Sequence, residues 1–253
     1  MKQFRMFCTI LCAALSLILS SCGSNNESST STSTATDSTQ MTSDSMEAPA
    51  STPMTANYEV NPPFNLMVIT HKVSNYDKWK ASYDKHDSVR VAFGVHNYVI
   101  SRMLPDSNTV LVAVKADDID KGMAFSKDPS LKMAMKEGGV IGAPDLHVYK
   151  VVYDANNSIP TDTRVVRNVT VKDWDAWKTA FENSRQLRID NGIEDRSYGY
   201  EASDNHKVMV VLALTDTAKA NAFMKSDAMK KKMEEAGVVG TTSSKTIRIV
   251  ARY

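Results

Sequence analysis

The side chains best suited to proton transfer in this chain are histidines. Four of the five fall in one stretch, His71, His86, His96 and His147, with His206 alone further on. An imidazole titrates near neutral pH and can serve as a general base without a metal. His71 follows Met67 and Ile69 at alternating spacing, so the three share one strand face. That face points either to a domain core or to a cavity, and the alternation does not say which. In a cavity, His71 is the candidate base, with His96 as its candidate companion. Thr70, on the opposite face, and Asn168, its small polar match in a later strand, are candidate ligand contacts. So are Tyr98, Arg102, Tyr198 and Tyr200, with Arg196 beside them, although aromatic residues on strands also serve for packing. No two histidines have the tight spacing of a helical metal site, so no metal is expected. No phosphate loop, dinucleotide fingerprint or nucleophile elbow occurs, and no cofactor is expected.

The cysteines carry an address instead of chemistry. Lys2 and Arg5 precede an apolar run, Met6 to Leu19, of signal-peptide length. It is shorter than the roughly 20 apolar residues that span a bilayer. It ends in Leu19-Ser20-Ser21-Cys22-Gly23, which resembles the lipobox, whose cysteine is acylated and becomes the first mature residue. Residues 1–21 are therefore expected to be a lipoprotein signal peptide, and Cys22 the lipidation site and membrane anchor. Cys8 and Cys12 leave with the signal, which excludes an internal disulfide, a thiolate metal site and a cysteine nucleophile. More than one acyl chain gives stable anchoring where one is marginal. Gly23, in place of an inner-membrane retention aspartate, points to the outer membrane. With Lys2 and Arg5 gone, 28 basic side chains face 29 acidic ones, so nothing favours nucleic acid as a partner.

Residues 22–63 are rich in Ser, Thr, Asn, Ala and Pro, and no Lys or Arg occurs between Arg5 and Lys72. Such a segment cannot bury enough apolar surface to offset its ordering entropy, and a disordered tether is expected. As a flexible coil it reaches on the order of 35 Å. Asp37-Ser38-Thr39 and Asp44-Ser45-Met46 resemble the O-glycosylation triplet of one Gram-negative phylum.

The remainder repeats itself. An offset of 98 residues lays Trp79-Lys80 on Trp177-Lys178, Arg90 on Arg188, Gly94 on Gly192, Phe125 on Phe223, and Gly139-Val140 with Gly142 on Gly237-Val238 with Gly240. It runs without a gap from Leu66 to Tyr153, with 22 identities in 88 positions. Residues 64–155 and 163–253 each read β-α-β-β-α-β. In the first, Tyr76, Trp79, Tyr83 and Val89 recur at helical spacing on a segment closing near Gly94. A hairpin turns at Pro105-Asp106-Ser107-Asn108, and a second helix, interrupted near Asp128-Pro129, stops at Gly138-Gly139. The order is that of the ferredoxin-like motif. Trp79 and Trp177 are expected to pack on the sheet. Arg90 and Arg188 suit the last helical turn, and Gly94 and Gly192 a left-handed position after it. The histidines do not repeat: Val169, Ser184, Glu194 and Lys245 stand where repeat 1 has His71, His86, His96 and His147.

The pattern V-x-D/N-Y/W-D-x-W-K, then R-x-x-x-G, F-x-x-S/D-x-x-M/L-K and G-V-x-G, resembles the dimeric α+β barrel superfamily, which includes antibiotic-biosynthesis-monooxygenase-like domains. The resemblance covers both repeats. It implies an α+β fold of two tandem ferredoxin-like repeats packed sheet to sheet as an intrachain pseudo-dimeric barrel, so that no oligomer is required. It also implies a cavity that, in cofactor-free monooxygenases of the group, holds a polycyclic or quinone-like substrate. Members that degrade haem use an Asn, a Trp and an axial His. Asn168 matches the first, but repeat 2 lacks the helical histidine and the third-strand tryptophan.

An intact fold pattern without a full catalytic set makes an envelope-associated, non-catalytic module for a small, partly apolar ligand the leading expectation. The alternatives are a cofactor-independent monooxygenase or isomerase with its pocket in repeat 1, and a structural envelope protein. Cys22→Ser is expected to abolish labelled-palmitate incorporation and move the chain from the membrane to the soluble fraction. Undiminished labelling contradicts the lipobox reading.

Overall fold

A computed structural model of the chain describes residues 60–253. The signal peptide, Cys22, both glycosylation triplets and the tether as far as residue 59 lie outside the described residues. Val60 already pairs with Ala155 across an isolated bridge, and the Asn61 amide donates to the Asp154 carbonyl at 2.9 Å.

The elements follow in order as β1 (Phe64–Val73), α1 (Tyr76–Lys85), α2 (Asp87–Ala92), β2 (Val95–Met103), β3 (Thr109–Ala116), α3 (Ile119–Phe125), α4 (Pro129–Glu137) and β4 (Val140–Asp154). The second half repeats them as β5 (Thr163–Val171), α5 (Trp174–Asn183), α6 (Arg185–Asp190), β6 (Ile193–Glu201), β7 (Asp204–Leu214), α7 (Thr217–Met224), α8 (Asp227–Glu235) and β8 (Val238–Arg252). Side chains cap the starts. Asn75, Asp118, Asp173 and Asp216 each accept from the backbone amide three residues on, satisfying a donor that the helix leaves free. Asp128 accepts from Ser130 with Pro129 at the first helical position.

The single first helix expected to close near Gly94 is two. It breaks at His86 in one half and Ser184 in the other, where the backbone leaves helical values. The last strands, β4 and β8, are the longest, at 15 residues each. They begin at once after Gly139 and Gly237, whose positive φ of 74° and 73° turns the chain out of the preceding helix.

All eight strand pairings are antiparallel, and the order β1-β3-β2-β8-β5-β7-β6-β4 closes. Each half contributes the ferredoxin order, β4-β1-β3-β2 and β8-β5-β7-β6. The two sheets are also hydrogen-bonded edge to edge. One seam joins β2 to β8 from Val99↔Arg252 to Met103↔Ile247, and the other joins β4 to β6 from Tyr149↔Glu201 to Asp154↔Ser197. Closure removes the exposed edges that either half would present alone.

An eight-stranded barrel is just wide enough for its own side chains. Leu66, Val68, Leu111, Ala113, Tyr149, Val151, Val166, Met209 and Ile247 fill its interior. Two further cores lie outside the barrel wall under the helices, one around Trp79 and Phe125, the other around Trp177 and Phe223. Both tryptophans pack on the sheet as expected, 4% and 3% exposed.

Gly199 sits in the β4–β6 seam opposite Val151. A Cβ there would lie 2.1 Å from the Lys150 carbonyl oxygen and 2.8 Å from Val151 Cα. Since backbone cannot yield as a side chain does, Gly199→Ala is expected to cost about 2–4 kcal/mol by forcing the seam apart. Gly142→Ala, with positive φ but nothing within 4 Å, should cost about 1 kcal/mol. Urea denaturation of the two variants checks this, and equal losses would contradict it.

Candidate functional site

Which face a side chain takes follows from the register. Met67, Ile69, His71 and Val73 face the helices, while Leu66, Val68 and Thr70 face the barrel. In β2 and β6 a bulge interrupts the alternation, between Asn97 and Val99 and between Asp195 and Ser197. Each bulge reverses the face of every residue after it.

This separates the sequence-derived candidates. Tyr98, at the bulge, enters the barrel, where its hydroxyl donates to Asp154 Oδ1 at 2.6 Å. Beyond it Arg102 turns outward and stacks 4.4 Å from the centre of the Tyr76 ring. Tyr198 also turns outward. It stacks on Tyr153 with centroids 4.9 Å apart and donates its hydroxyl to Glu182. Tyr200 packs edge-on to Trp174 at 4.7 Å. Arg102, Tyr198 and Tyr200 therefore do not join Tyr98 in one cavity.

His96 pairs in register with Lys115, which also pairs with inward-facing Leu66, so it has the opposite face from His71. It is exposed and holds Asp117 at 3.0 Å. The structure does not bring His71 and His96 together. Thr70 is half-buried on the barrel side of β1. Asn168 reaches a polar mouth of the barrel of about 320 Å³, shared with Asp145, His147, Tyr149, Glu201 and Lys207.

The barrel interior keeps a cavity of about 90 Å³ beside Tyr98, Asp154, Arg164 and Arg196. Its arginines are occupied. Arg164 donates to the Thr161 and Thr163 carbonyls at 2.7 and 2.9 Å, and Arg196 to the Ala155 carbonyl at 2.6 Å and Asn157 Oδ1 at 2.7 Å.

His71 opens instead into a cavity of about 90 Å³ between the sheet and helices of repeat 1, lined by Ile69, Trp79, Tyr83, His86, Arg90 and Phe125 among others. Its ring lies 5.5 Å from that of Trp79. Neither ring nitrogen has a hydrogen-bond partner, and both are shielded from solvent. Burial depresses the pKa from 6.5 to about 4, so the ring is neutral at pH 7. His86, which sequence reasoning located without assigning it a role, joins the same cavity. Its Nε2 meets Ser130 Oγ at 3.0 Å while Nδ1 is unpartnered, and burial and Arg90 lower its pKa.

The rim is held rigidly. Tyr83 donates to Asn97 Oδ1 at 2.5 Å, and Asn97 donates to Asp87 Oδ1 at 2.6 Å. Arg90 donates to that carboxylate oxygen at 3.0 Å and to the Tyr83 carbonyl at 2.6 Å, its guanidinium 3.7 Å from the centre of the Tyr83 ring. Burial raises the Tyr83 pKa. Arg188 is locked differently, by a bidentate pair to buried Asp195 at 2.7 and 2.6 Å. Arg188 thus fastens α6 to the wall, while Arg90 ties α2 to α1 and Asn97 joins Asp87 of α2 to β2.

No family profile matches the sequence, and no curated protein does. Solved structures do match. A candidate monooxygenase of Lactobacillus acidophilus NCFM superposes with TM-score 0.51 at 12% identity, over 75% of this chain and 94% of its own. An anthrone oxidase-like protein gives 0.52 at 11%, over 74% and 92%. A candidate monooxygenase of Fusobacterium nucleatum gives 0.50 at 13%, over 75% and 93%. These likenesses show the fold, the dimeric α+β barrel, here within one chain.

Because the folded pKa of His71 is lowered, the unfolded chain binds the proton more readily. Stability is complete above pH 6.5 and falls as pH drops from 6.5 towards 4, by about 3 kcal/mol at the limit. His71→Phe is expected to flatten this part of the pH–stability curve, measured by denaturant midpoints between pH 7 and 4.5. A variant curve parallel to that of the parent would contradict the assignment.

Proposed function

We propose that the protein is an envelope lipoprotein, anchored through Cys22 and built by duplication of one ferredoxin-like unit, whose repeat 1 pocket binds a small aromatic substrate and supports cofactor-independent monooxygenation. The observation that carries this reading is His71. An imidazole held out of water with both nitrogens unpaired costs about 1–3 kcal/mol. A packed core gains nothing from retaining it, whereas a ligand hydroxyl or acidic C–H supplies the missing partner. The equivalent pocket in repeat 2 has Val169 there, so the chemistry belongs to one half.

The chemistry needs only dioxygen. A substrate with an acidic ring methylene gives a proton to neutral His71, and the resulting carbanion adds O2 to form a peroxide. Loss of water from the peroxide leaves a carbonyl, with one oxygen atom in the product and one in the water. Burial opposes a lone imidazolium, but the anion formed beside it is its counterion, and the pair offsets much of that penalty. Trp79 and Tyr83 supply apolar ring surface against which an aromatic substrate stacks. At about 90 Å³ the pocket suits one or two fused rings, smaller than the polycyclic substrates that the family resemblance implied. The monooxygenase and anthrone oxidase descriptions of structurally similar proteins support the same reading.

Oxygen uptake with one- and two-ring ketones bearing an activated ring methylene tests the proposal. Turnover should fall at least 100-fold in His71→Phe and be unchanged in His96→Ala. Saturable quenching of tryptophan fluorescence without any oxygen uptake would instead establish a non-catalytic binding module.

A further inference from the structure

The corresponding layer of repeat 2 contains a different unmet group. Arg167 stands where repeat 1 has Ile69, and its side chain leaves β5 on the helix side. Its Nη2 lies 3.5 Å from the Met233 sulfur, a weak acceptor. Its Nε and Nη1 are shielded from solvent and have no hydrogen-bond partner. Among the described residues no carboxylate forms an ion pair with it. Burial alone depresses its pKa, with no compensating acid. The contrast with the buried arginines is direct: Arg188 has Asp195, and Arg164 has two carbonyls.

A guanidinium stays charged throughout the accessible pH range, so it cannot escape burial by losing its proton. Arg167 is half-buried, but its Nε and Nη1 are held out of water unpaired, which is costly for a charged group. It borders a cavity of about 60 Å³ whose other walls include Val169, Trp177, Phe181, Leu212 and Phe223. The other cations on that lining are paired, Lys232 with Glu235 at 2.8 Å and Arg188 with Asp195. Each free N–H can donate to a carboxylate oxygen, and the walls match a compact apolar body. At roughly 10–15 Å³ per water-sized occupant, the space takes about four to six such groups, the size of a single ring or a short branched chain.

We propose that the helix–sheet pocket of repeat 2 is a binding site for a small apolar carboxylate, anchored by the Arg167 guanidinium. The two halves then divide their roles, with a neutral imidazole in one pocket and a fixed cation in the other. The proposal does not depend on repeat 1 being catalytic.

Calorimetric titration of the full chain with benzoate and with benzyl alcohol, its uncharged counterpart, tests the site. Benzoate is expected to bind at least 10-fold more tightly than benzyl alcohol. Arg167→Met should remove that preference while remaining folded, since it replaces a half-buried, unpaired charge by an apolar side chain of similar length. Arg167→Lys should retain part of it, and His71→Phe all of it. Benzoate binding no tighter than benzyl alcohol, no benzoate heat at 10 mM, or equal benzoate affinity in Arg167→Met would each overturn the assignment. Loss of benzoate binding in His71→Phe with retention in Arg167→Met would move the carboxylate site to repeat 1.

Discussion

Closure of the barrel is the constraint on which the rest of this structure depends. Each four-stranded half has two faces to bury and two edges to pair, and its helices cover only one face. Hydrogen bonding β2 to β8 and β4 to β6 solves both problems, because each half supplies the other's missing face and edges. The enclosed space is then filled by side chains from both halves. Some room remains beside Tyr98 and at the Asn168 mouth, and two further cavities lie in the layers between barrel wall and helices.

Those two layers share a frame and differ in content. Trp79 and Trp177, Phe125 and Phe223, and Arg90 and Arg188 occupy matching places in the two cores. The frame is maintained even where its bonding differs, as when Arg90 uses Asp87 and a carbonyl while Arg188 uses Asp195. The polar side chains facing the cavities do not match: His71 and His86 in one, Arg167 in the other. A fused pair allows this, since the folding requirement is met twice while each pocket diverges separately.

Much of the fold was legible in the sequence. The 98-residue offset, the turn at Pro105 to Asn108 and the glycines after each helix all express local backbone demands, and Gly94 and Gly192 take φ of 67° and 70°. The face taken by His71 was not legible, because a barrel strand covered by helices is buried on both sides and its alternation carries no in-or-out signal. Nor were the bulges at Tyr98 and Arg196, which no turn residue marks; they send Arg102, Tyr198 and Tyr200 away from the cavity that Tyr98 enters. Arg167 was missed for a related reason. A cation beside Asn168 on a strand reads as solvent-facing until the helix above it is in place.

The central claim is that ligand space lies beside His71, outside the barrel wall, and not within the barrel. A crystal structure of the protein soaked with 4-bromophenol tests this most directly, because the bromine's anomalous signal locates the ring independently of its shape. The account predicts the peak between the sheet and helices of repeat 1, with the phenol oxygen within hydrogen-bonding distance of a His71 nitrogen. A peak inside the barrel, beside Tyr98 and Asp154, would contradict it.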